Sequence, residues 1–165
     1  MIEYSETIYV RKTWIMALVL TSVLISLLIV GIIILGTSTT EESFSAVTIL
    51  VIVEGLLLFF LLSSYLSLKV NKAGIYYKWF PFHFNDRFIQ WEEVAKVYVR
   101  KYNAMSEYGG WGIKGRKSNR AFNVSGNMGL QLELLSGRKV LIETQRPEEL
   151  EKVIKNYARE RKLNL

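Results

Sequence analysis

Charge is nearly absent from residues 14–68. That stretch holds only Glu41, Glu42 and Glu54, and all 21 lysines and arginines of the 165-residue chain lie outside it. Trp14–Leu35 runs for 22 residues without a charge, and Phe44–Leu68 for 25 with Glu54 as its one exception. As a helix the first run reaches about 33 Å, against a hydrocarbon core of about 30 Å. Between them lies GTSTTEES, rich in Gly, Ser and Thr. Apolar runs of this length belong to membrane spans rather than to the core helices of soluble domains. The pattern predicts a membrane helical hairpin with spans at 14–35 and 44–68. The first run is too long for the apolar region of a secretory signal, and no small-residue cleavage site follows it. It reads as an uncleaved anchor.

Orientation follows from positive charge beside the spans. Arg11 and Lys12 precede the first, Lys69, Lys72 and Lys78 follow the second, and the turn carries only Glu41 and Glu42. Both ends are expected in the cytoplasm and the turn outside, with Trp14 and Tyr65 as interfacial aromatics. The expected location is a bacterial inner membrane, multi-pass, N-in and C-in, with residues 1–13 as a cytoplasmic tail.

Residues 69–165 contain 19 of the 21 basic residues and 10 of the 15 acidic ones. Short β-prone runs recur at Leu68–Asn71, Ile75–Phe84, Arg87–Trp91 and Val94–Tyr102. Leu130, Leu132 and Leu134 alternate with polar residues, Ser136-Gly137 makes a turn, and Val140 and Ile142 share a face on return. Over about 147–162 the signal changes to a helix. Pro147 opens it, Glu148 and Glu149 suit its positive end, Arg159, Arg161 and Lys162 suit its negative end, and Leu150, Val153, Ile154 and Tyr157 form one apolar stripe.

Short antiparallel strands closed by one amphipathic helix resemble the pleckstrin-homology-like (PH-like) barrel. The opening VNKAGIYY, the stretch FIQWEEVAKVYV, the loop YGGWGIKG and the ending GLQLELLSGRKVLIETQRPEELEKVI are similar to bacterial PH-like domains that follow paired membrane spans. The resemblance covers about residues 68–158 and implies a membrane α-helical hairpin plus a mainly-β domain, a bent antiparallel barrel with a C-terminal helix. The fold hosts scaffolds, lipid binders and oligomerisation modules alike, so it implies a fold rather than an activity. The basic signature of phosphoinositide-binding PH domains is missing: Lys78 is followed only by Arg87. Phosphoinositide recognition is not carried over.

Two groups of residues are candidates for function. Glu54 falls near mid-span, where a carboxylate costs about 2.5–3.5 kcal/mol and so faces protein rather than lipid. Folding the hairpin about its turn brings Glu54 level with Ser26, and Ser22 lies one turn along. Gly55 allows close helix approach. The set Glu54, Ser26 and Ser22 reads as an intramembrane polar contact, with an ion or proton relay as the functional alternative. The second group is Lys114, Arg116, Lys117 and Arg120, inside the glycine-rich segment 107–129. Near an anionic leaflet each such charge contributes about 1 kcal/mol, so the four are a candidate site for anionic lipid headgroups or a protein partner.

The chain has no cysteine and one histidine, His83. That removes disulfides, thiol catalysis and Cys-based zinc sites, and a lone histidine makes neither a metal cluster nor a Ser–His pair. Glu92 and Glu93 are adjacent rather than facing, which is not the arrangement of an acid–base dyad. The basic balance follows from cytoplasmic topology without invoking nucleic acid. The expected protein is non-enzymatic, without cofactor or metal. It would be a membrane-tethered binding, scaffolding or assembly module that meets lipids and a protein partner or its own copies. A transport component using Glu54 is the alternative.

Overall fold

In the computed structural model, residues 2–10, 13–36 and 41–161 are described. The chain divides into two compact units, Val10–Ser64 and the remainder, residues 1–9 with 65–165. Arg11, Lys12, the turn residues 37–40 and Lys162, which carried part of the orientation and capping arguments, lie outside the described residues.

The first unit is a pair of helices, α1 (Thr13–Gly36) and α2 (Glu41–Ser63). Both are apolar around their whole circumference. Leu24 and Phe59 are about two-thirds exposed, at 66% and 70%, within the unit as it stands. A helix that is hydrophobic all round needs an apolar medium on every side. Among the described residues, Phe44–Ser63 is long and apolar enough to cross a membrane, and α1 has an apolar run over Ala17–Ile33.

The second unit is mostly β. Strands β1 (Ile2–Tyr9), β2 (Tyr65–Asn71), β3 (Gly74–Phe80) and β4 (Arg87–Gln90) form an antiparallel sheet in that order. A 3-10 turn at Trp91–Glu93 leads into β5 (Val94–Lys101), then α3 (Ala104–Tyr108), β6 (Gly112–Arg116), β7 (Asn119–Asn123), β8 (Met128–Leu134) and β9 (Lys139–Glu143). These five strands make a second sheet, ordered β5-β8-β9-β7-β6, in which β7 and β9 run parallel. Helix α4 (Pro147–Arg161) follows and packs on β5 and β1 through buried Leu150, Ile154, Tyr157 and Ala158.

The core lies between the sheets. Leu66, Leu68, Val70, Ile75, Tyr77 and Ile89 line the inner face of the first sheet; Val97, Phe122, Leu130, Leu132, Val140 and Ile142 line that of the second. The Tyr77 and Phe122 rings meet across the interface, centroids 4.9 Å apart. Trp91 stacks on Tyr157 at 5.3 Å, fixing α4 to the core. On the other side of the second sheet Ala121 and Leu141 pack with Tyr102, Ala104 and Tyr108 around α3.

Four sequence expectations change. The sheets are not closed into a barrel: among the described residues no ladder joins β4 to β5 or β1 to β6, so each sheet keeps both edges. Residues 2–9 are not a tail. They form the edge strand β1, burying Tyr4 and Ile8 beside β2. The sequence shows the alternation (Ile2, Tyr4, Glu6 and Ile8 on one face), but an acid on the apolar face disguises it. Glu6 is buried and fully engaged: Tyr4 Oη donates to its Oε2 at 2.6 Å, Thr144 Oγ1 to the same oxygen at 2.7 Å, and the Gln145 amide to Oε1 at 2.9 Å. The second long helix ends at Ser63 rather than Leu68, because Leu66, Leu68 and Val70 alternate with polar residues and join the sheet. The glycine-rich stretch is not one loop but α3 and the β6–β7 hairpin.

The helical pair is therefore an insertion between two paired strands. Tyr9 and Tyr65, which flank it, are cross-strand partners.

Candidate functional site

Within the helical pair, Ser26 Oγ donates to Glu54 Oε1 at 3.0 Å. The two line a groove of about 300 Å3 with Val23, Leu27, Val30 and other apolar side chains, and Gly55 adjoins. Among the described residues no second ionisable residue lines it. Ser22 is not part of the contact: its hydroxyl donates to the Val19 carbonyl at 2.9 Å, within its own helix. A serine can satisfy itself this way on any helix, whatever lies level with it on the neighbouring one.

The four cations of the glycine-rich stretch are separated by the β6–β7 hairpin. Register pairs Lys114 with Ala121 and Arg116 with Asn119, while Gly115 faces Arg120. Opposed residues share a face of an antiparallel pair and successive residues do not. Lys114 and Arg116 thus stand on the Ala121 face, toward the α3 side, and Arg120 stands on the Phe122 face, toward the first sheet. Gly115 has φ +85°, and a Cβ there would fall 2.2 Å from the Asn119 carbonyl oxygen, so the hairpin needs glycine at this position.

Arg120 and Lys117 instead meet two arginines from elsewhere. Arg87, Lys117, Ser118, Arg120 and Arg138 line one cleft of about 460 Å3. Each position follows from register. Arg87 is the cross-strand partner of inward-facing Tyr77. Arg138 precedes inward-facing Val140 by two residues, at the end of the Leu135–Gly137 turn. The Lys139 amide donates to the Ser118 carbonyl at 2.7 Å, which ties the β6–β7 turn beside Arg138.

Among the described residues no carboxylate lines the cleft. Asp86, next to Arg87 in sequence, is held by Lys69 at 3.0 Å. None of the four cleft cations has an ion-pair partner among the described residues. Their field reaches the neighbouring rings. Burial, then the positive charges of Arg87 and Arg120, hold the His83 imidazole below its ordinary range. Burial raises the Tyr77 hydroxyl, while Arg87, Arg138 and Arg120 pull it back down. His83 packs against Phe122 at 5.7 Å and receives the Trp79 amide on Nδ1 at 3.4 Å.

Sequence reading missed Arg87 and Arg138. A signal existed: Arg87 is two residues from Ile89, and Arg138 two from Val140, so period-2 alternation puts both on apolar faces. Their convergence depends on two sheets facing each other, which no local pattern encodes.

A second polar centre is built around Glu143, fully buried on β9. Its Oε2 accepts the amides of Val124 at 2.5 Å and Ser125 at 2.9 Å, and its Oε1 that of Gly126 at 2.7 Å. Tyr102 Oη donates at 3.3 Å, its proton held by burial and then by the Glu143 charge. A Cβ on Gly126 would lie 2.6 Å from Oε1, so glycine is what lets the backbone close on the carboxylate. This carboxylate is occupied by the protein's own loop. Among the described residues no group of three or more Asp, Glu or His stands ready for a metal.

At the strand ends nearest the helical insertion, the rings of Tyr9, Tyr65, Phe80 and Phe84 form a row with centroid steps of 6.0, 5.4 and 6.1 Å. Lys78 Nζ lies 6.0 Å from the Tyr65 ring centroid and 5.8 Å from that of Phe80.

No protein-family model, curated protein or solved structure matches this chain.

Proposed function

We propose that the protein is a membrane-anchored binding module. The helical pair spans the bacterial cytoplasmic membrane and a PH-like β domain is presented on the cytoplasmic side to lipid or protein partners, without catalysis of its own. The observation that carries this reading is the insertion of two all-round apolar helices between paired strands β1 and β2. Because Tyr9 and Tyr65 are partners in one sheet, the chain must leave and re-enter the β domain on one side of a bilayer. The other end of the pair, at Gly36 and Glu41, then lies on the opposite side. This agrees with Lys69, Lys72 and Lys78 lying on the cytoplasmic side by the positive-inside rule. Tyr9 and Tyr65, with Lys78 beside them, are residue types favoured at headgroup depth. Two sheets packed face to face with a C-terminal helix are the elements from which the PH-like architecture is built, here with open edges.

The rival, a transport component working through Glu54, is supported by the Ser26–Glu54 contact. Against it, Glu54 is the one ionisable residue among the described residues that line the groove, with Ser26 as its polar neighbour.

The chain has no cysteine, so single-cysteine labelling is clean. Thr40→Cys should react with a membrane-impermeant maleimide in intact cells, and Asn85→Cys only after lysis. The protein should stay in the pellet after alkaline carbonate extraction. Release by carbonate would remove the membrane assignment, and labelling of Asn85→Cys in intact cells would reverse the orientation.

A further inference from the structure

We infer that the open cleft where the start of β4 meets the β6–β7 turn and the turn before β9, lined by Arg87, Lys117, Ser118, Arg120 and Arg138, is a binding site for a phosphomonoester. The inference rests on the reading of the β domain as a binding module, and it is independent of the membrane assignment.

Three observations carry it. First, the cations come from three separate places in the chain, the start of β4, the β6–β7 hairpin and the turn before β9, and converge on one volume. Second, among the described residues the convergence is uncompensated. The remaining ion pairs of the β domain engage other cations, and the acid nearest in sequence, Asp86, is taken by Lys69. Like charges facing one another cost stability, and a bound anion removes that cost. Third, three of the four are arginines on or beside strands, with backbones fixed by the ladders. Guanidinium groups offer planar, paired donors that match phosphate oxygens, which a lysine patch does not. Ser118 adds a hydroxyl at the same rim.

The charge count selects among anions. A phosphomonoester carries about −1.5 to −2 at pH 7 and three strong acceptor oxygens. A phosphodiester or a carboxylate carries one charge and leaves most of the donors unanswered. The cleft volume of about 460 Å3 admits a phosphate with a small organic substituent. Such a group can come from a soluble metabolite or from a lipid headgroup such as that of phosphatidic acid.

The test uses the full chain in neutral detergent micelles, titrated calorimetrically with glycerol 3-phosphate and, separately, with phosphatidic acid or phosphatidylglycerol added to the micelles. Saturable binding of glycerol 3-phosphate is the expected result for a soluble source. Binding of micellar phosphatidic acid without glycerol 3-phosphate is the expected result for a lipid source. In either case phosphatidylglycerol should bind at least tenfold more weakly. Arg87→Gln, Arg120→Gln and Arg138→Gln should each weaken binding about tenfold, and Arg138→Lys should recover only part of the loss. Lys114→Gln with Arg116→Gln, on the opposite face of the hairpin, should change it less than twofold. Thermal midpoints within a few degrees of the parent would establish that the variants are folded.

Absence of saturable binding to either phosphomonoester overturns the inference. So does an equal response to phosphatidylglycerol, or an equal loss in the Lys114/Arg116 pair, since both would make the effect a diffuse surface charge. None of these outcomes touches the carbonate and labelling results on which the membrane reading stands.

Discussion

Glu54 is a half-buried carboxylate in a largely apolar groove and Glu143 a fully buried one, and the two regions of the molecule treat them in opposite ways. Glu143 sits at the end of β9, where a loop curls over it and delivers three backbone amides and a tyrosine hydroxyl. Both oxygens are answered, as burial of a polar group requires. Glu54 lies in a helix, whose backbone amides are already used by the helix itself. Its partner among the described residues is one serine hydroxyl. A sheet domain with irregular connections can bring backbone donors to a charge, whereas a helical pair can offer only side chains. The contrast predicts that Glu143 is a structural keystone and Glu54 a modest contact, and the same division separates the regions as a whole. The β domain holds itself together through a packed interior, and the helices depend on their surroundings.

The largest expected effect tests that division directly. Replacing Val10–Ser64 by a two-residue Asn-Gly turn joins Tyr9 to Tyr65, which are already cross-strand partners. The shortened chain should be soluble without detergent and unfold cooperatively. Deleting residues 1–9 from that same chain should abolish the transition. Tyr4 and Ile8 each contribute about 1.5–3 kcal/mol by burial, and the Glu6 links to Thr144 and Gln145 go with them. That sum is a large share of the roughly 5–15 kcal/mol that holds an ordinary domain. A strand deletion that left the denaturant midpoint in place would show that β1 is an ornament and not part of the domain.

Next in size is Glu143. Glu143→Ala orphans three amides, at about 1–3 kcal/mol for each buried donor left without a partner. We expect a loss of several kcal/mol, read from the denaturant midpoint of the turn-joined domain. Gly126→Ala should act in the same direction, because its methyl would fall on the carboxylate. Glu143→Gln keeps the shape but turns an NH2 group toward backbone amides, so it should fall between the parent and the alanine variant. If Glu143→Ala were neutral, the loop over residues 124–126 would be anchored by something else.

How much of this was legible in the sequence differs between the regions for the same physical reason. The helices declare themselves locally: uninterrupted apolar residues need no partner to be recognised, and even the Ser26–Glu54 level followed from folding the pair about its turn. Their far boundary did not, since Leu66 and Leu68 are as apolar as the helix before them and only the alternating Ser67 and Lys69 mark a strand. In the β domain β8, β9 and α4 were readable from alternation and helical spacing. Strand β1 was hidden because Glu6 occupies an inward position whose partners, Thr144 and Gln145, are some 140 residues away. The basic cleft was hidden for a similar reason. Proximity along the chain grouped Lys114 and Arg116 with Lys117 and Arg120, but strand alternation separates neighbours, and the facing of two sheets supplied Arg87 and Arg138 in their place.

The smallest expected effect is at Glu54, and it sharpens the comparison most. Hydrogen bonds between helices in a membrane average about 0.6 kcal/mol and do not exceed roughly 2 kcal/mol. Glu54→Gln retains an acceptor for the Ser26 hydroxyl and should leave helix association in detergent within a few tenths of a kcal/mol of the parent. Glu54→Leu removes the acceptor and should cost up to about 1 kcal/mol, partly recovered by better apolar packing in the groove beside Gly55. A double-mutant cycle with Ser26→Ala isolates the pair: the coupling should be below about 1 kcal/mol, while Ser22→Ala, whose hydroxyl serves Val19 in its own helix, should show none with Glu54. A coupling of several kcal/mol would place Glu54 beside Glu143 as a keystone. Unchanged association with loss of a cellular phenotype in Glu54→Gln would point instead to proton exchange at that carboxyl, because the amide preserves the hydrogen bond and removes only the titration.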